Sequence, residues 1–131
     1  MINWDKLAES ARDAARNAYA DYSRFNVGAA LLTAQGSIFT GCNIENASYG
    51  LTVCAERVAI LKSVSEGHRD IAALAIYSES KIPARPCGAC LQVLLEFGKD
   101  IEILCFNSEG VRDKFLLKDL FPHGFSLERY W

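Results

Sequence analysis

The sequence has no apolar run long enough to cross a membrane and no surplus of basic residues. Its longest uninterrupted apolar stretch, Ile71 to Tyr77, falls far short of the roughly 20 residues that a membrane-spanning helix needs. Lys and Arg total 14 against 16 Asp and Glu, a net charge of −2, whereas proteins that bind nucleic acid or anionic membranes usually have a basic excess. No basic segment followed by an apolar one marks a secretory signal at the N-terminus. These absences predict a cytoplasmic protein that binds neither nucleic acid nor membranes.

Composition excludes disorder and disfavours a disulfide framework. Half of the 131 residues are apolar, which is enough to fill one hydrophobic core. No repeat or flexible linker interrupts the sequence, so residues 1–131 are predicted to form a single domain. The 5 cysteines are odd in number, and no secretory signal precedes them. Clustered cysteines in a reducing compartment more often bind a metal or take part in catalysis.

Hydrophobic periodicity predicts an α/β protein. Trp4, Leu7 and the alanines that follow recur at helical spacing, so a first helix is expected from Asn3, a suitable N-cap, to about Tyr19. Strand–helix–strand units imply parallel crossovers, and a hairpin at Ala34-Gln35-Gly36 supplies an antiparallel pair. A mixed sheet with helices on both faces is therefore expected. The other predicted elements are strands at Val27 to Thr33, Ser37 to Asn43, Ile71 to Tyr77 and Ile101 to Phe106, and helices at Cys54 to about Ser65, Cys87 to about Phe97 and Leu116 to Leu120.

Three cysteines stand where two of these helices begin. Cys87 and Cys90 are three positions apart at one helix start, so their sulfurs project from the same face, and Cys54 opens the other helix. The positive ends of the two helix dipoles lower thiol pKa values and favour the ligating thiolate form. Soft thiolates at this spacing suit Zn²⁺.

No fourth zinc ligand is obvious from the sequence. A structural zinc site normally has four protein ligands, whereas a catalytic site keeps one position for water. Glu56 lies two residues after Cys54, on the same helical turn, where it can reach a water molecule at the metal without binding the metal. Cys-x-Glu followed by Pro-Cys-x-x-Cys is the signature of zinc deaminases, with the Glu as general acid and base. The remaining candidates, none of which forms a short-spaced pair with the three cysteines, are Cys42, Cys105, His68 and His123.

The residues around these motifs resemble the small cytidine deaminases that form homotetramers. The likeness runs from the first helix to Pro122. The resemblance implies a three-layer α/β/α fold with a mixed five-stranded sheet, one Zn²⁺ per chain, and a homotetramer that acts in pyrimidine salvage. Asp21 departs from the proline usual at this place, and the tail from Leu127 to Trp131 extends past the usual end. The similar segments are Phe25-Asn26-Val27-Gly28-Ala29-Ala30, Gly41-Cys42-Asn43-Ile44-Glu45-Asn46-Ala47-Ser48-Tyr49-Gly50 and Cys54-Ala55-Glu56-Arg57.

The resemblance also implies an activity, the hydrolysis of cytidine and 2′-deoxycytidine to uridine and deoxyuridine with release of ammonia. Glu56 is then expected to move a proton from water to N3 of the pyrimidine, and a second proton to the amino group that leaves C4. Asn43 and Glu45 resemble the pair that binds ribose. Phe25 resembles the aromatic residue that packs on the pyrimidine, and backbone groups of Ala55 are expected to read the edge of the base.

Arg57 is predicted to balance the charge of the site. Zn²⁺ with three thiolates is already negative, and a hydroxide adds further negative charge, which disfavours ionisation of the water. Arg57 lies beside Glu56 in the sequence, where its guanidinium can donate hydrogen bonds to the thiolates. The alternative interpretation of Arg57 is a solvated residue on the helix surface.

Three other functions use the same residues differently. A zinc-stabilised binding module predicts a filled fourth coordination position and no role for Glu56, Asn43 or Glu45. A deaminase of nucleic acids needs basic grooves for phosphates, and the net charge of −2 argues against it. A deaminase of a cytosine-containing antibiotic shares the fold and the metal site, but the ribose-binding pair favours a free nucleoside.

Overall fold

The computed structural model describes residues 1–127, in which helices cover both faces of a five-stranded sheet. The strands are β1 Val27–Thr33, β2 Ile38–Cys42, β3 Ile71–Ser78, β4 Glu102–Phe106 and β5 Arg112–Leu116, and the helices are α1 Trp4–Ala15, α2 Ala55–Ser65, α3 Gly88–Leu95 and α4 Leu117–Leu120. Their order in the sheet is β2-β1-β3-β4-β5. Only β3 and β4 run parallel, and the other neighbouring pairs in the described residues are antiparallel. The expected mixed sheet in a three-layer α/β/α arrangement is confirmed.

Small side chains bring α1 close to one face of the sheet. Asn3 caps this helix as predicted, because its side chain accepts a hydrogen bond from the Lys6 N–H at 3.1 Å. A Cβ on Gly28 would overlap the carbonyl oxygen of Ala11 and the backbone nitrogen of Ala15, so glycine is needed for this approach. The core on this face consists of Leu7, Ala8, Ala11, Ala15, Ala30, Ala73, Ala75, Tyr77, Leu104 and Phe106.

Larger aliphatic side chains fill the opposite face, which α2 and α3 cover. β2 approaches α2 closely at Gly41, where a Cβ would lie 2.5 Å from the Ala55 carbonyl oxygen and 2.6 Å from the Ala59 nitrogen. This contact fixes the start of α2, and with it Cys54 and Glu56. The buried residues on this face include Leu31, Ile60, Leu74, Ile76, Leu94, Ile103, Cys105 and Leu117.

The first helix is shorter than its pattern predicts. It ends at Ala15 rather than near Tyr19, because Tyr19 pairs with the loop that follows β2. The Tyr19 N–H donates to the Asn43 carbonyl at 2.9 Å, and the Glu45 N–H donates to the Tyr19 carbonyl at 2.8 Å. If the helix continued to Tyr19, the backbone of Tyr19 could not pair with Asn43 and Glu45.

β5 was not indicated by hydrophobic periodicity, although the resemblance implied a fifth strand. It contains Arg112, Asp113 and Lys114 and lies at the edge of the sheet beside β4. Charged side chains are common on edge strands because they hinder pairing with other chains. None of the helices formed by residues 1–127 is long and apolar enough to cross a membrane. Residues 128–131 of the tail lie outside the described part of the chain.

Candidate metal centre and active site

The two helix starts that carry the predicted ligands lie side by side. Cys54 is the N-cap of α2, Cys87 is the N-cap of α3, and Cys90 lies in the first turn of α3. The Sγ atoms of Cys54 and Cys87 are 3.8 Å apart, and those of Cys87 and Cys90 are 3.6 Å apart. Tetrahedral thiolates about 2.3 Å from zinc lie about 3.8 Å from one another. The three sulfurs therefore fit a single Zn²⁺.

The other candidate ligands do not join this group. Within residues 1–127, three or more possible ligand atoms come within 4.8 Å of one another only at Cys54, Cys87 and Cys90. Cys105 is buried in β4, and Cys42 is half-buried at the end of β2. His68 is half-buried, and its ring packs 5.2 Å from the ring of Phe39. A set of three thiols fits the catalytic kind of zinc site, which keeps one position for water.

Charge is distributed unevenly over the three thiols. A hydrogen bond from the Cys90 thiol, with a further one from Arg57, lowers the pKa of Cys54 to about 5. The same contact, together with burial, raises the pKa of Cys90. Cys54 is thus prepared as a thiolate, the form that binds metal.

Arg57 lies against this thiolate. Its Nη2 atom is 3.5 Å from Cys54 Sγ and 3.3 Å from the carbonyl oxygen of Thr52. The bond to Cys54 raises the pKa of Arg57. Its Nε is buried and has no hydrogen-bond partner in the part of the chain that the structure describes. This position allows the predicted hydrogen bond to a metal ligand and does not fit a solvated surface arginine.

Glu56 is the second residue of α2 and is 5% exposed. Burial, together with the negative charge of Cys54, raises the pKa of Glu56 to about 7. Its carboxyl group interacts with the side chain of Cys90 and with the charge of Cys54, but it does not belong to the group of three clustered ligands. A carboxyl group with a pKa near neutrality can both accept and release a proton.

Asn43 holds the entrance of β1. Its Oδ1 accepts a hydrogen bond from the Val27 N–H at 2.9 Å, and its Nδ2 donates to the Phe25 carbonyl at 2.8 Å. A side-chain amide has two N–H groups and two acceptor lone pairs, so these bonds use half of its capacity. Asn43 therefore fixes the backbone at Phe25 and keeps a donor and an acceptor for a ligand.

Glu45 is held by a serine that sequence reasoning missed. Its Oε1 accepts hydrogen bonds from the N–H groups of Tyr22 at 2.9 Å and Ser23 at 3.0 Å, and its Oε2 accepts one from the Ser23 hydroxyl. These bonds, that of the hydroxyl foremost, lower the pKa of Glu45. The Ser23 Oγ also accepts from the Phe25 N–H at 3.0 Å. No local pattern links residues this far apart in sequence, so only the folded loops show the contact.

The remaining predicted contact residues, Phe25 and Ala55, do not line the cavity beside Glu45. Phe25 is 40% exposed and follows Arg24, whose φ of 61° places it in the left-handed region. Ala55 is buried as the first residue of α2, where backbone N–H groups have no partner within the helix. A cavity of about 370 Å³ adjoins Glu45, and Thr52, which borders it, is bonded to Arg57. The cavity is lined by Tyr22, Ser23, Glu45, Asn46, Tyr49 and Thr52.

Comparison with known proteins agrees with this arrangement. Residues 1–105 match the family described as "Cytidine and deoxycytidylate deaminase zinc-binding region". The chain belongs to this family. A cytidine deaminase from Halalkalibacterium halodurans is 47% identical over 123 residues, 93% of each chain. The crystal structure of a cytidine deaminase from Burkholderia pseudomallei has a TM-score of 0.90 at 45% identity and covers 95% of this chain and 100% of its own. A cytidine deaminase from Mycobacterium tuberculosis is 44% identical over 127 residues, 97% of this chain and 92% of the relative.

Family membership and the geometry of the sulfurs identify the same metal. The family is defined by a zinc-binding region, and the thiols of Cys54, Cys87 and Cys90 form a donor set for one ion. Thiolates are soft ligands that select Zn²⁺ over the harder Mg²⁺ and Ca²⁺. The cofactor of this deaminase-family protein is therefore zinc.

Proposed function

We propose that the protein catalyses the zinc-dependent hydrolysis of cytidine and 2′-deoxycytidine to uridine and 2′-deoxyuridine, with release of ammonia. The observation that carries this proposal is a buried carboxyl group, Glu56, beside three clustered thiols. Relatives that are named cytidine deaminases and match nearly the whole chain support it. Zinc held by Cys54, Cys87 and Cys90 supplies, when bound, the Lewis acidity that makes water a nucleophile at neutral pH.

In this reaction Glu56 moves two protons. As a carboxylate it accepts a proton from the attacking water, and as an acid it gives that proton to N3 of the pyrimidine. The oxygen of the water bonds to C4. Glu56 then takes the remaining proton of this oxygen and gives it to the amino group, which leaves as ammonia when the C4–N bond breaks. One water is consumed, one ammonia is formed, and Glu56 returns to its starting state, a cycle that its pKa of about 7 suits.

The sugar and the base are assigned to Asn43, Glu45, Phe25 and Ala55, of which Glu45 also lines the cavity. Asn43 and Glu45 bind the sugar hydroxyls, since both carry polar atoms with remaining hydrogen-bond capacity. Phe25 packs against the pyrimidine, and the backbone at Ala55 recognises the edge of the base. Glu45, one of the two residues assigned to the sugar, carries an exposed carboxylate. This charge favours a neutral nucleoside over a nucleotide, whose phosphate a carboxylate repels.

Arg57 withdraws negative charge from the metal ligands. A hydrogen bond to a thiolate sulfur reduces the electron density that the sulfur gives to the metal. The separation of 3.5 Å between Arg57 Nη2 and Cys54 Sγ supports this role. The guanidinium would offset one of the negative charges that three thiolates bring to a Zn²⁺ site.

We also propose that residues 1–131 form one domain that assembles into a homotetramer and serves pyrimidine salvage in the cytoplasm. Adjoining apolar side chains at the surface support the assembly, because such patches mark interaction surfaces. Tyr49 is 77% exposed, and its ring lies 6.1 Å from that of Tyr22. The free thiols of Cys42 and Cys105 suit a reducing compartment. Sedimentation velocity tests the assembly, and a monomer at micromolar concentration would contradict it.

The activity is tested with purified, zinc-loaded protein and cytidine, by measuring uridine and ammonia together. We expect equal amounts of the two products from the wild type and about a thousandfold slower turnover by Glu56→Gln. Deoxycytidine is expected to react as well, whereas deoxycytidine monophosphate and single-stranded DNA are not. A folded, zinc-loaded wild type that converts neither nucleoside would contradict the proposal.

A further inference from the structure

The segment that leads to the metal centre from β3, residues 79–86, contains no helix or strand. It ends directly at Cys87, the exposed N-cap of α3. An N-cap residue lies half outside its helix and takes its position from the chain that enters. Cys90, in contrast, is buried within the first turn of α3. Of the two sulfurs on this helix, that of Cys87 therefore depends more on the path of the segment.

The buried side chain of Asn107 connects this segment to the loop that follows β4. Asn107 follows β4 directly and is 2% exposed. Its Nδ2 donates hydrogen bonds to the carbonyl oxygens of Ser80 at 2.8 Å and Lys81 at 3.1 Å. Its Oδ1 accepts from the N–H groups of Glu109 and Val111, both at 3.0 Å. All four hydrogen-bonding positions of the amide are thus used.

A second anchor holds the same segment nearer to Cys87. The hydroxyl of Ser78, the buried last residue of β3, accepts a hydrogen bond from the Ala84 N–H at 2.8 Å. It also pairs with the Ser80 hydroxyl at 2.9 Å. Asn107 and Ser78 therefore fix the beginning and the later part of the segment.

The segment has few other means of fixing its backbone. Pro83 and Pro86 are buried but have no N–H to donate. Lys81, Ile82 and Arg85 are exposed. Buried backbone groups without regular secondary structure need side-chain partners. Within the segment the Ser80 hydroxyl donates to the Ile82 carbonyl at 2.6 Å, and from outside it Asn107 and Ser78 supply partners.

We propose that Asn107, with Ser78, is a positioning residue of the metal centre: it holds segment 79–86 so that the Cys87 sulfur lies beside those of Cys54 and Cys90. The inference rests on the proposed function, in which Cys87 is a zinc ligand. Loss of the Asn107 donors releases the segment, and zinc binding weakens because one of its three ligands is no longer prearranged.

The test compares Asn107→Asp with a matched control. Asp keeps the shape of Asn and an acceptor oxygen, but it sets a second oxygen against the two carbonyls. Thr33→Val is the control, because Thr33 is 1% exposed and its Oγ1 accepts from the Ser37 N–H at 3.0 Å in the β1–β2 turn. Thr33 pairs with Ile71, at the end of β3 opposite to Ser78. Both changes remove a buried anchor of a turn, but only one of these turns leads to Cys87.

The readout is the zinc affinity of each folded variant, measured by competition with a chromophoric chelator, with thermal unfolding recorded in parallel. We expect Asn107→Asp to bind zinc about tenfold more weakly than the wild type. Thr33→Val is expected to lose stability and keep the wild-type affinity. Ser78→Ala should weaken zinc binding by less than Asn107→Asp, and it decides the question if Asn107→Asp does not fold. Wild-type affinity in the decisive variant, or an equal loss in Thr33→Val, would overturn the inference.

The zinc measurement is independent of substrate turnover. A wild type that binds zinc but leaves cytidine unchanged would contradict the proposed function alone. Active enzyme whose zinc affinity is insensitive to Asn107 and Ser78 would contradict this inference alone.

Discussion

The two faces of the sheet carry helices of opposite character. α1 meets its face through Leu7 and a row of alanines, and its polar side chains point to solvent. α2 buries Glu56 and Ser63 along with its aliphatic residues, and it begins, like α3, with a cysteine. A buried carboxyl group costs stability, whereas buried alanines and leucines add to it. One face therefore contributes mainly to stability, and the other gives up part of its stability to hold reactive groups.

The strongest test of this contrast pairs Glu56→Gln with Leu7→Ala. Gln removes the proposed proton carrier and also the cost of burying a carboxylate, so turnover should fall about a thousandfold while the melting temperature does not fall. Leu7 is 1% exposed, and its truncation should lower the free energy of unfolding by about 3 kcal/mol with kcat of the folded protein unchanged. Steady-state kinetics and thermal unfolding of both variants measure the two effects.

The two variants are expected to have opposite effects: Glu56→Gln loses turnover and keeps stability, whereas Leu7→Ala loses stability and keeps turnover. A Leu7→Ala variant that loses turnover while fully folded would show that the α1 face takes part in catalysis. An unstable Glu56→Gln would show that the carboxyl group stabilises the fold.

Gly28 and Gly41, which let α1 and α2 approach the sheet closely, offer a matched comparison. Alanine at Gly28 collides with the backbone of α1, and alanine at Gly41 collides with the backbone of α2. Both changes should destabilise the fold by about 3 kcal/mol. Only Gly41→Ala should also weaken zinc binding, because it displaces Ala55, which stands between Cys54 and Glu56. Chelator competition on the folded fraction of each variant separates the two, and equal zinc affinities would contradict the expectation.

Arg57→Gln tests the charge balance on the catalytic face. Loss of the guanidinium beside Cys54 should weaken zinc binding about tenfold or more and slow turnover. Arg12→Gln serves as the control on the other face, where the guanidinium lies 5.5 Å from the Tyr77 ring centroid and should not affect zinc. Unchanged zinc affinity and unchanged turnover in Arg57→Gln would refute the role given to this residue.

The smallest expected effect concerns the loop acid Glu45. The Ser23 hydroxyl lowers its pKa from 4.5, so Ser23→Ala should raise it toward that ordinary value. A carboxyl group with a lowered pKa adds stability above its unfolded pKa and loses that contribution as the pH falls through its folded pKa. The stability gap between wild type and Ser23→Ala should therefore be present at neutral pH and narrow in acid. NMR titration and unfolding between neutral pH and pH 3 check both points, with Ser10→Ala on α1, where Ser10 donates to the Lys6 carbonyl, as the control.

Local sequence was informative in different ways on the two faces. The spacing of Leu7 and Ala11 predicted α1 because its buried and exposed positions alternate with the helical period. α2 was also predicted from apolar residues at helical spacing, although Glu56 and Ser63 occupy part of its buried side. β5 has a charged sequence, which periodicity interprets as a loop. The predicted end of α1, near Tyr19, was wrong because Tyr19 pairs with a loop that is distant in sequence.

The sequence by itself determined the chemistry: three thiols and a carboxyl group at two helix starts, at spacings that suit zinc and a proton carrier. Such motifs are local, and helix geometry converts their spacing directly into direction. Only the tertiary structure decided how these groups are held. The contacts of Glu45 with Ser23 and of Asn107 with segment 79–86 join distant parts of the chain through side-chain hydrogen bonds. Such hydrogen bonds form only where the fold brings a donor and an acceptor within reach. A sequence contains many polar pairs that could bond equally well, so the sequence alone does not show which of them form.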